Sequence, residues 1–248
     1  MRVLGISCFY HDAAAALVVD GQLVAAAAEE RFTRIKHDQE LPRQAAAFCL
    51  EKAGLAVNDL DHVVFYDKPL TKFDRILTGY IATPGRSYRT LLKALPIWLR
   101  RKLWTDMVIH KELNWDGQTL YVPHHLSHAA GAYFGSPFEQ SAILTIDGVG
   151  EWATAAYGVG EGNRVRLFSE MRYPHSVGLL YSAITYYLGF QVNSAEYKIM
   201  GLAPYGRPDY AELIEKELVT IHDDGSIHLN MDYFDFHFGI RMTGRRME

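Results

Sequence analysis

The sequence predicts an α/β protein in which one βββαβ unit occurs twice. Apolar segments of strand length open the chain, and the Asp20-Gly21 dipeptide predicts a tight turn between the second and third of them. A segment with helical periodicity follows, and Gly54 is placed to end it. The first unit is predicted as three strands, a helix and a fourth strand, at residues 3–7, 13–19, 23–28, 42–53 and 62–66.

The same order returns in the second half of the chain. Three strands and a helix are predicted at residues 142–147, 153–159, 165–170 and 177–188, followed by a helix at 209–219 and a strand at 226–229. Repetition of this kind indicates duplication, with a cleft between two lobes. We predict a first lobe at 1–139 and a second lobe at 140–248, and we expect the second lobe to be incomplete because its later strands are missing.

Composition excludes several classes of protein. The 248 residues include 25 Lys+Arg and 29 Asp+Glu, a net charge of −4, with 49% hydrophobic residues, which is typical of a globular chain and excludes disordered or collagen-like chains. Cys8 and Cys49 have no paired spacing, so neither a disulfide framework nor a cysteine metal site is expected. We predict a cytoplasmic protein with no signal peptide, no membrane span and no nucleic-acid partner.

A basic helical insert at about 85–112 interrupts the first lobe. It interleaves Arg and Lys with Leu, Ile and Trp. Three alternatives remain for it: a solvated helical face, a surface for phosphate or a partner, and a helix lying on a membrane surface.

His124 and His128 suggest a metal site. They lie four residues apart after Pro123, which is well placed in the first turn of a helix, so both imidazoles would project from one face. Asp147 follows a buried strand and offers a third ligand. Two nitrogens and a carboxylate suit Fe(II), Mn(II) or Zn(II). The alternative is structural: the histidine pair packs into the interface between the predicted lobes and Asp147 caps a turn.

Glycines after Asp147 suggest a phosphate-binding turn. Gly148, Val149 and Gly150 could present backbone N–H groups to a phosphate, although this signal is weak alone. Lys198, in a loop rich in Gly and Pro, is a candidate phosphate cation.

Five ordered motifs together resemble the carbamoyltransferase family that includes nodulation-factor and antibiotic O-carbamoyltransferases. They cover nearly the whole chain, at residues 9–15, 29–34, 124–129, 147–151 and 197–203. The resemblance implies duplicated lobes of the actin, sugar-kinase and Hsp70 type, a ribonuclease-H-like fold, with a nucleotide in the cleft. Family members are usually more than twice this length. Only the amino-terminal part is therefore represented, and a second polypeptide is one way to supply the rest.

The resemblance also implies an activity and its residues. Such enzymes make carbamoyl-adenylate from ATP and carbamoyl phosphate in a carboxyl-terminal domain and transfer the carbamoyl group to a hydroxyl of a small-molecule acceptor. By resemblance, His124, His128 and Asp147 hold a divalent metal, with iron favoured, beside the nucleotide phosphate. His11 matches the position near the acceptor hydroxyl and is the candidate general base, and Lys36 matches a basic residue at the same site.

Two other functions compete with carbamoyl transfer. An ATP phosphotransferase or ATPase could use the same fold, since a fold does not fix function. The histidine pair argues against it, because kinases of this fold hold magnesium through carboxylates and water. The second rival is a non-catalytic module that binds nucleotide or a partner through the basic insert.

Overall fold

A computed structural model describes residues 1–247 as ten strands, nine α-helices and short 3₁₀ turns. The strands are β1 Arg2–Ser7, β2 Ala14–Val19, β3 Gln22–Ala28, β4 His62–Phe65, β5 Thr119–Tyr121, β6 Gln140–Ile146, β7 Ala153–Glu161, β8 Arg164–Arg172, β9 Val219–Ile221 and β10 Ile227–Leu229. The helices are α1 Glu30–Thr33, α2 Arg43–Ala53, α3 Pro69–Ala82, α4 Pro84–Arg100, α5 Thr105–Leu113, α6 His124–Phe134, α7 Val177–Tyr187, α8 Glu196–Leu202 and α9 Ala211–Glu217.

The first sheet has five strands in the order β3-β2-β1-β4-β5. The first three strands are antiparallel, and β4 and β5 add in parallel beside β1. The sequence prediction for this half, three strands, helix and strand, is confirmed. Asp20 and Gly21 both have positive φ, at 50° and 81°, which is the backbone twist that a two-residue hairpin turn requires.

The two faces of this sheet differ in side-chain size. On one face Leu4, Ile6 and Leu17 are almost fully buried and pack, with α2, into the main hydrophobic cluster. Strand alternation places the small residues on the opposite face, where they line a cavity of about 560 Å³ together with Tyr66 and Ser127. The first sheet therefore has one well-packed face and one face of small side chains.

The second sheet contains β6, β7 and β8 in that order, all antiparallel. Helix α6 packs on it through Tyr133, whose ring lies so close to Gly160 that a Cβ there would be 2.4 Å away. The Tyr133 hydroxyl donates to the carbonyl of Glu139 at 2.7 Å. Glycine at position 160 thus permits the close approach between helix and strand.

The chain after α7 departs from the predicted second unit. The three strands and the helix at 177–188 are confirmed, but the predicted strand at 226–229 pairs with β9 in a separate hairpin and does not join the sheet. The predicted helix at 209–219 is also too long, since Val219 begins β9. Val219 and Leu229 pack with Phe234 against α7, and this burial draws the segment into a hairpin. The mixed α/β class is confirmed, while duplicated actin-like lobes stay a prediction.

The chain divides into two compact units, 1–70 with 95–127, and 71–94 with 128–248. The predicted boundary between a first lobe at 1–139 and a second lobe at 140–248 stays a prediction. The basic insert is helical as expected, formed by α4 and α5. Within residues 1–247, no helix combines the length and the apolar character that crossing a membrane requires.

Candidate functional site

Helix α6 carries the two predicted metal-ligating histidines. His124 and His128 are one turn apart on this helix, so their imidazoles share a face. Ser127 anchors the first turn by donating to the carbonyl of Tyr66 at 2.9 Å, and the His124 ring lies edge-on to the Tyr66 ring, with 5.4 Å between centroids. The division between the two units falls within α6, and the spacing of the two histidines comes from the helix itself.

Asp147 completes a three-residue cluster. One ligand atom from each of His124, His128 and Asp147 lies within 4.8 Å of the other two. The distance from His128 Nε2 to Asp147 Oδ2 is 3.8 Å, which is longer than a hydrogen bond and compatible with two ligands around one ion. Interaction with Asp147 raises the pKa of His128 above its ordinary value, although burial acts in the opposite direction.

The donor set fits a transition metal or zinc. Two imidazole nitrogens and one carboxylate oxygen match the ligands that Fe(II), Mn(II) and Zn(II) accept, and three ligands leave positions for water or substrate. Among the described residues, this is the group of His, Cys, Asp and Glu side chains whose spacing could hold an ion. Its composition and spacing agree with the predicted site.

The start of helix α7 fixes the backbone beside Asp147. Ser176 caps this helix by accepting from Leu179 N at 3.0 Å, and its hydroxyl lies 3.1 Å from the carbonyl oxygen of Asp147 and 2.7 Å from that of Gly148. Gly178 allows the helix to approach this turn closely, since a Cβ there would lie 2.5 Å from the Asp147 oxygen. The backbone of Asp147 is therefore held by the packing of α7 as well as by its place at the end of β6.

The predicted phosphate-binding turn is partly engaged within the chain. Gly148 N–H donates to Asp147 Oδ1 at 2.7 Å, and Gly150 N–H donates to the carbonyl of Ala153 at 2.9 Å. Val149 N–H therefore remains the better phosphate donor of the three. Lys198 is exposed on α8, where its ammonium lies 6.0 Å from the Tyr197 ring. The phosphate role of these residues stays a prediction.

The first-half motifs meet at one place in the structure. The turn after β1 is tied to the loop before α2 by two backbone hydrogen bonds of 2.7 Å, from Phe9 N to Gln39 O and from Ala13 N to Asp38 O. Both residues at the centre of these segments, Asp12 and His37, have positive φ, at 51° and 57°. The two backbone hydrogen bonds, together with residue types that tolerate positive φ, stabilise conformations that neither segment would adopt by itself.

His11 lies in this junction and Lys36 borders it. His11 Nδ1 is 2.8 Å from Asp12 Oδ2, and His37 Nδ1 is 2.9 Å from Asp12 Oδ1. The His11 side chain is 44% exposed, so its ring is accessible to a substrate. Lys36, next to His37 in the chain, is exposed. Asp12 and His37 were not predicted as site residues, although Asp12 lies within the motif at 9–15 and His37 directly follows Lys36.

Glu29 stabilises the chain next to the same junction through hydrogen bonds to the start of α2. Its buried carboxylate accepts from the backbone N–H groups of Gln44 at 3.1 Å and Ala45 at 2.8 Å, at the start of α2. A carboxylate at this end of a helix satisfies amides that have no partner within the helix and interacts favourably with the helix dipole. The motif at 29–34 therefore connects β3 to α2 structurally, and Glu30 Oε2 accepts from His37 N at 3.1 Å.

Part of the basic insert makes intramolecular contacts. Arg101 pairs with Glu40 and its guanidinium lies 4.9 Å from the centre of the Phe9 ring. Arg86 lies 4.0 Å from the Phe238 ring centre and 3.9 Å from Asp235. These two cations have internal roles. The alternatives for the rest of the insert stay open.

The fold and site define a mixed α/β domain with a two-histidine, one-aspartate cluster where a strand ends. Comparison with known families goes further, because the family described as carbamoyltransferase N-terminus matches residues 2–248. The chain belongs to this family of carbamoyltransferase amino-terminal domains, as the motifs predicted.

Individual relatives agree with this assignment. The chain is 49% identical over 253 residues to the uncharacterized protein sll1178 of Synechocystis, covering 99% of this chain and 41% of that protein. It is 37% identical over 227 residues to the nodulation protein NolNO of Sinorhizobium fredii, covering 90% of this chain and 32% of that protein. The chain thus spans less than half the length of these relatives.

Among solved structures, the chain is similar to YeaZ from Pseudomonas aeruginosa. The TM-score is 0.34 at 16% identity, covering 70% of this chain and 69% of that chain. This distant similarity supports no conclusion about fold or function.

Proposed function

We propose that this chain is the transfer part of a carbamoyltransferase, which moves a carbamoyl group from carbamoyl-adenylate to a hydroxyl of a small-molecule acceptor. Carbamoyl-adenylate would be made from ATP and carbamoyl phosphate by the part of the protein that the relatives contain beyond this chain. The observation that carries the proposal is the cluster of His124, His128 and Asp147 in a chain of this family.

The transfer step assigns a proton to His11. The acceptor oxygen would attack the carbamoyl carbon, its proton would pass to the His11 imidazole, and the bond from that carbon to the adenylate oxygen would break, releasing AMP. An imidazole suits this task because it can accept a proton near neutral pH. The exposed ammonium of Lys36 would stabilise negative charge on the carbonyl oxygen or on the departing phosphate.

His124, His128 and Asp147 would hold a divalent metal, with Fe(II) favoured over Mn(II) and Zn(II), and its positive charge would stabilise the nucleotide phosphate. The close packing of α7 on the backbone of Asp147 supports this role. Val149 N–H and Lys198 are the candidate phosphate donors from this chain itself.

Metal analysis tests the site. The protein is purified anaerobically as wild type, His128→Ala and His222→Ala, and the metal content of each is measured beside calorimetric titration with ATP. His222 is an exposed histidine in the turn between β9 and β10 and serves as the matched control. We expect near-stoichiometric metal and ATP binding in wild type and control, with metal lost in His128→Ala. Equal metal content in all three would contradict the metal site.

Product analysis tests the reaction. The chain, alone and mixed with the remaining part of the Synechocystis relative, is incubated with ATP, radiolabelled carbamoyl phosphate and hydroxyl acceptors such as aminoglycosides and sugars. Labelled acceptor with AMP supports carbamoyl transfer. Formation of ADP that does not depend on carbamoyl phosphate would instead indicate the phosphotransferase or ATPase alternative.

A further inference from the structure

A carboxylate lies between two imidazoles at the junction of the first two motifs. Each carboxylate oxygen of Asp12 lies within hydrogen-bonding distance of one imidazole: Oδ2 lies 2.8 Å from His11 Nδ1, and Oδ1 lies 2.9 Å from His37 Nδ1. Although burial acts to raise it, hydrogen bonds from His37 and His11 lower the pKa of Asp12 below its ordinary value. An ionised carboxylate can only accept hydrogen bonds.

This geometry fixes which ring nitrogens carry protons. Because both oxygens of Asp12 accept, the Nδ1 atoms of His11 and His37 must both donate. His37 supports this independently, since its Nε2 is shielded from solvent and has no hydrogen-bond partner within residues 1–247. A proton on that atom would be a buried donor without an acceptor, which is unfavourable. For His11, a proton on Nδ1 leaves the lone pair on Nε2.

The surrounding backbone holds this arrangement. Asp12 and His37 both adopt left-handed backbone conformations, which residues other than glycine adopt at a cost. The two backbone hydrogen bonds between the turn and the loop, and the bond from His37 N to Glu30, offset that cost. Strained backbone that the surrounding structure maintains is concentrated at functional sites.

We propose that Asp12 and His37 are positioning residues for the transfer reaction, holding His11 as its Nδ1–H tautomer so that Nε2 takes the proton of the acceptor hydroxyl. The inference rests on the proposed carbamoyl transfer. As His11 gains that proton and the acceptor oxygen bonds to the carbamoyl carbon, Asp12 stabilises the resulting imidazolium through the existing Nδ1–H bond. His37 acts one step further away, by keeping the carboxylate turned toward His11.

Asp12→Asn is the decisive variant. Asparagine has nearly the same shape and tolerates a left-handed backbone, but it offers one acceptor and one donor where the carboxylate offers two acceptors. It cannot accept from both histidines, so at least one ring must change tautomer or orientation. The matched control is Asp106→Asn, which alters another His–Asp pair in the same unit, where Asp106 Oδ1 lies 3.3 Å from His110 Nε2.

His37 provides a second pair of variants. His37→Asn keeps a side-chain N–H donor and a residue type suited to positive φ, whereas His37→Ala removes the donor. We expect His37→Asn to retain the His11 tautomer and His37→Ala to lose it in part. Circular dichroism of both variants checks that they fold. A change of tautomer in a folded variant is then due to lost positioning of Asp12.

Two readouts separate the inference from the function on which it rests. Long-range ¹H–¹⁵N correlation spectra of the labelled chain report the His11 tautomer without any activity, and the carbamoyl-transfer assay with its complementing part reports kcat and KM. We expect Asp12→Asn to shift the His11 tautomer and lower kcat by roughly 10²-fold, the order that a well-placed base contributes, with KM little changed. Asp106→Asn should change neither.

The outcomes are distinct. If the wild-type protein transfers carbamoyl groups but Asp12→Asn leaves either the His11 tautomer or kcat unchanged, the positioning role is wrong. A tautomer that follows Asp12, in a protein that transfers no carbamoyl group to any acceptor, would overturn the proposed function and with it the catalytic part of this inference. Loss of rate equal in His37→Asn and His37→Ala would contradict the role of His37.

Discussion

Gly178 offers a test of how tightly the fold holds Asp147. A Cβ at this position would lie 2.5 Å from the carbonyl oxygen of Asp147 and 2.7 Å from Gly148 N, whereas ordinary contact begins at 3.4 Å. Gly178→Ala must therefore move helix α7 or the turn by about 0.9 Å, because backbone atoms cannot rotate away as a flexible side chain would. Overpacking of this kind costs about 1–3 kcal/mol.

The same displacement should weaken metal binding. Metal–ligand distances tolerate deviations of only about 0.2 Å, so a shift several times larger moves Asp147 away from a position that suits the two histidines. We expect the midpoint of urea unfolding to fall and the affinity for Co(II), used as a spectroscopic probe ion, to drop at least tenfold. Both changes come from one contact.

Gly201→Ala is the matched control. Gly201 lies in α8 and has no positive φ, and no neighbouring atom lies within 4 Å of the place that an alanine Cβ would occupy. Alanine there should leave Co(II) affinity unchanged and stabilise the helix by up to about 1 kcal/mol. If Gly178→Ala unfolds at the same urea concentration as wild type and binds Co(II) equally well, the packing of α7 against Asp147 is not as described.

Two further predictions concern buried polar groups. Glu29→Gln should lower the free energy of unfolding by about 1–3 kcal/mol, because the amide offers one acceptor to two helix N–H groups. Glu51 is exposed on α2, so Glu51→Gln should change the free energy of unfolding little. Equal losses for the two variants in urea unfolding would refute the reasoning. Burial, and then His228, lowers the pKa of His175 below 6.5, so the unfolded state binds a proton more readily and stability should fall as pH drops below about 6.5. His175→Asn should reduce that decline in urea titrations at pH 7.5 and 5.5 (about one unit either side of the ordinary histidine pKa), and an identical decline would refute it.

Local patterns in the sequence predicted much of the fold. The first sheet, α2 and the hairpin at Asp20 follow from alternation, helical periodicity and turn chemistry, which act between residues close in the chain. The segment after α7 was predicted less well. There Val219 and Leu229 gain burial against α7, and this long-range packing shortened the predicted helix and formed a hairpin in its place.

The candidate site divides in the same way. His124 and His128 could be paired from sequence because a helix brings residues four apart together, and Asp147 because a strand that ends in a polar turn presents its side chain at the sheet edge. Asp12 and His37 could not be paired in this way, since they are far apart in the chain and neither belongs to a helix or strand.

The sequence alone determined the α/β class, the family and the residues from which a metal site could be built, because each depends on residue type and short spacing. Only the tertiary structure decided that Asp12 lies between His11 and His37, and that α7 packs on the backbone of Asp147. Those arrangements depend on backbone hydrogen bonds and close contacts between distant segments, and they form only when the whole unit folds.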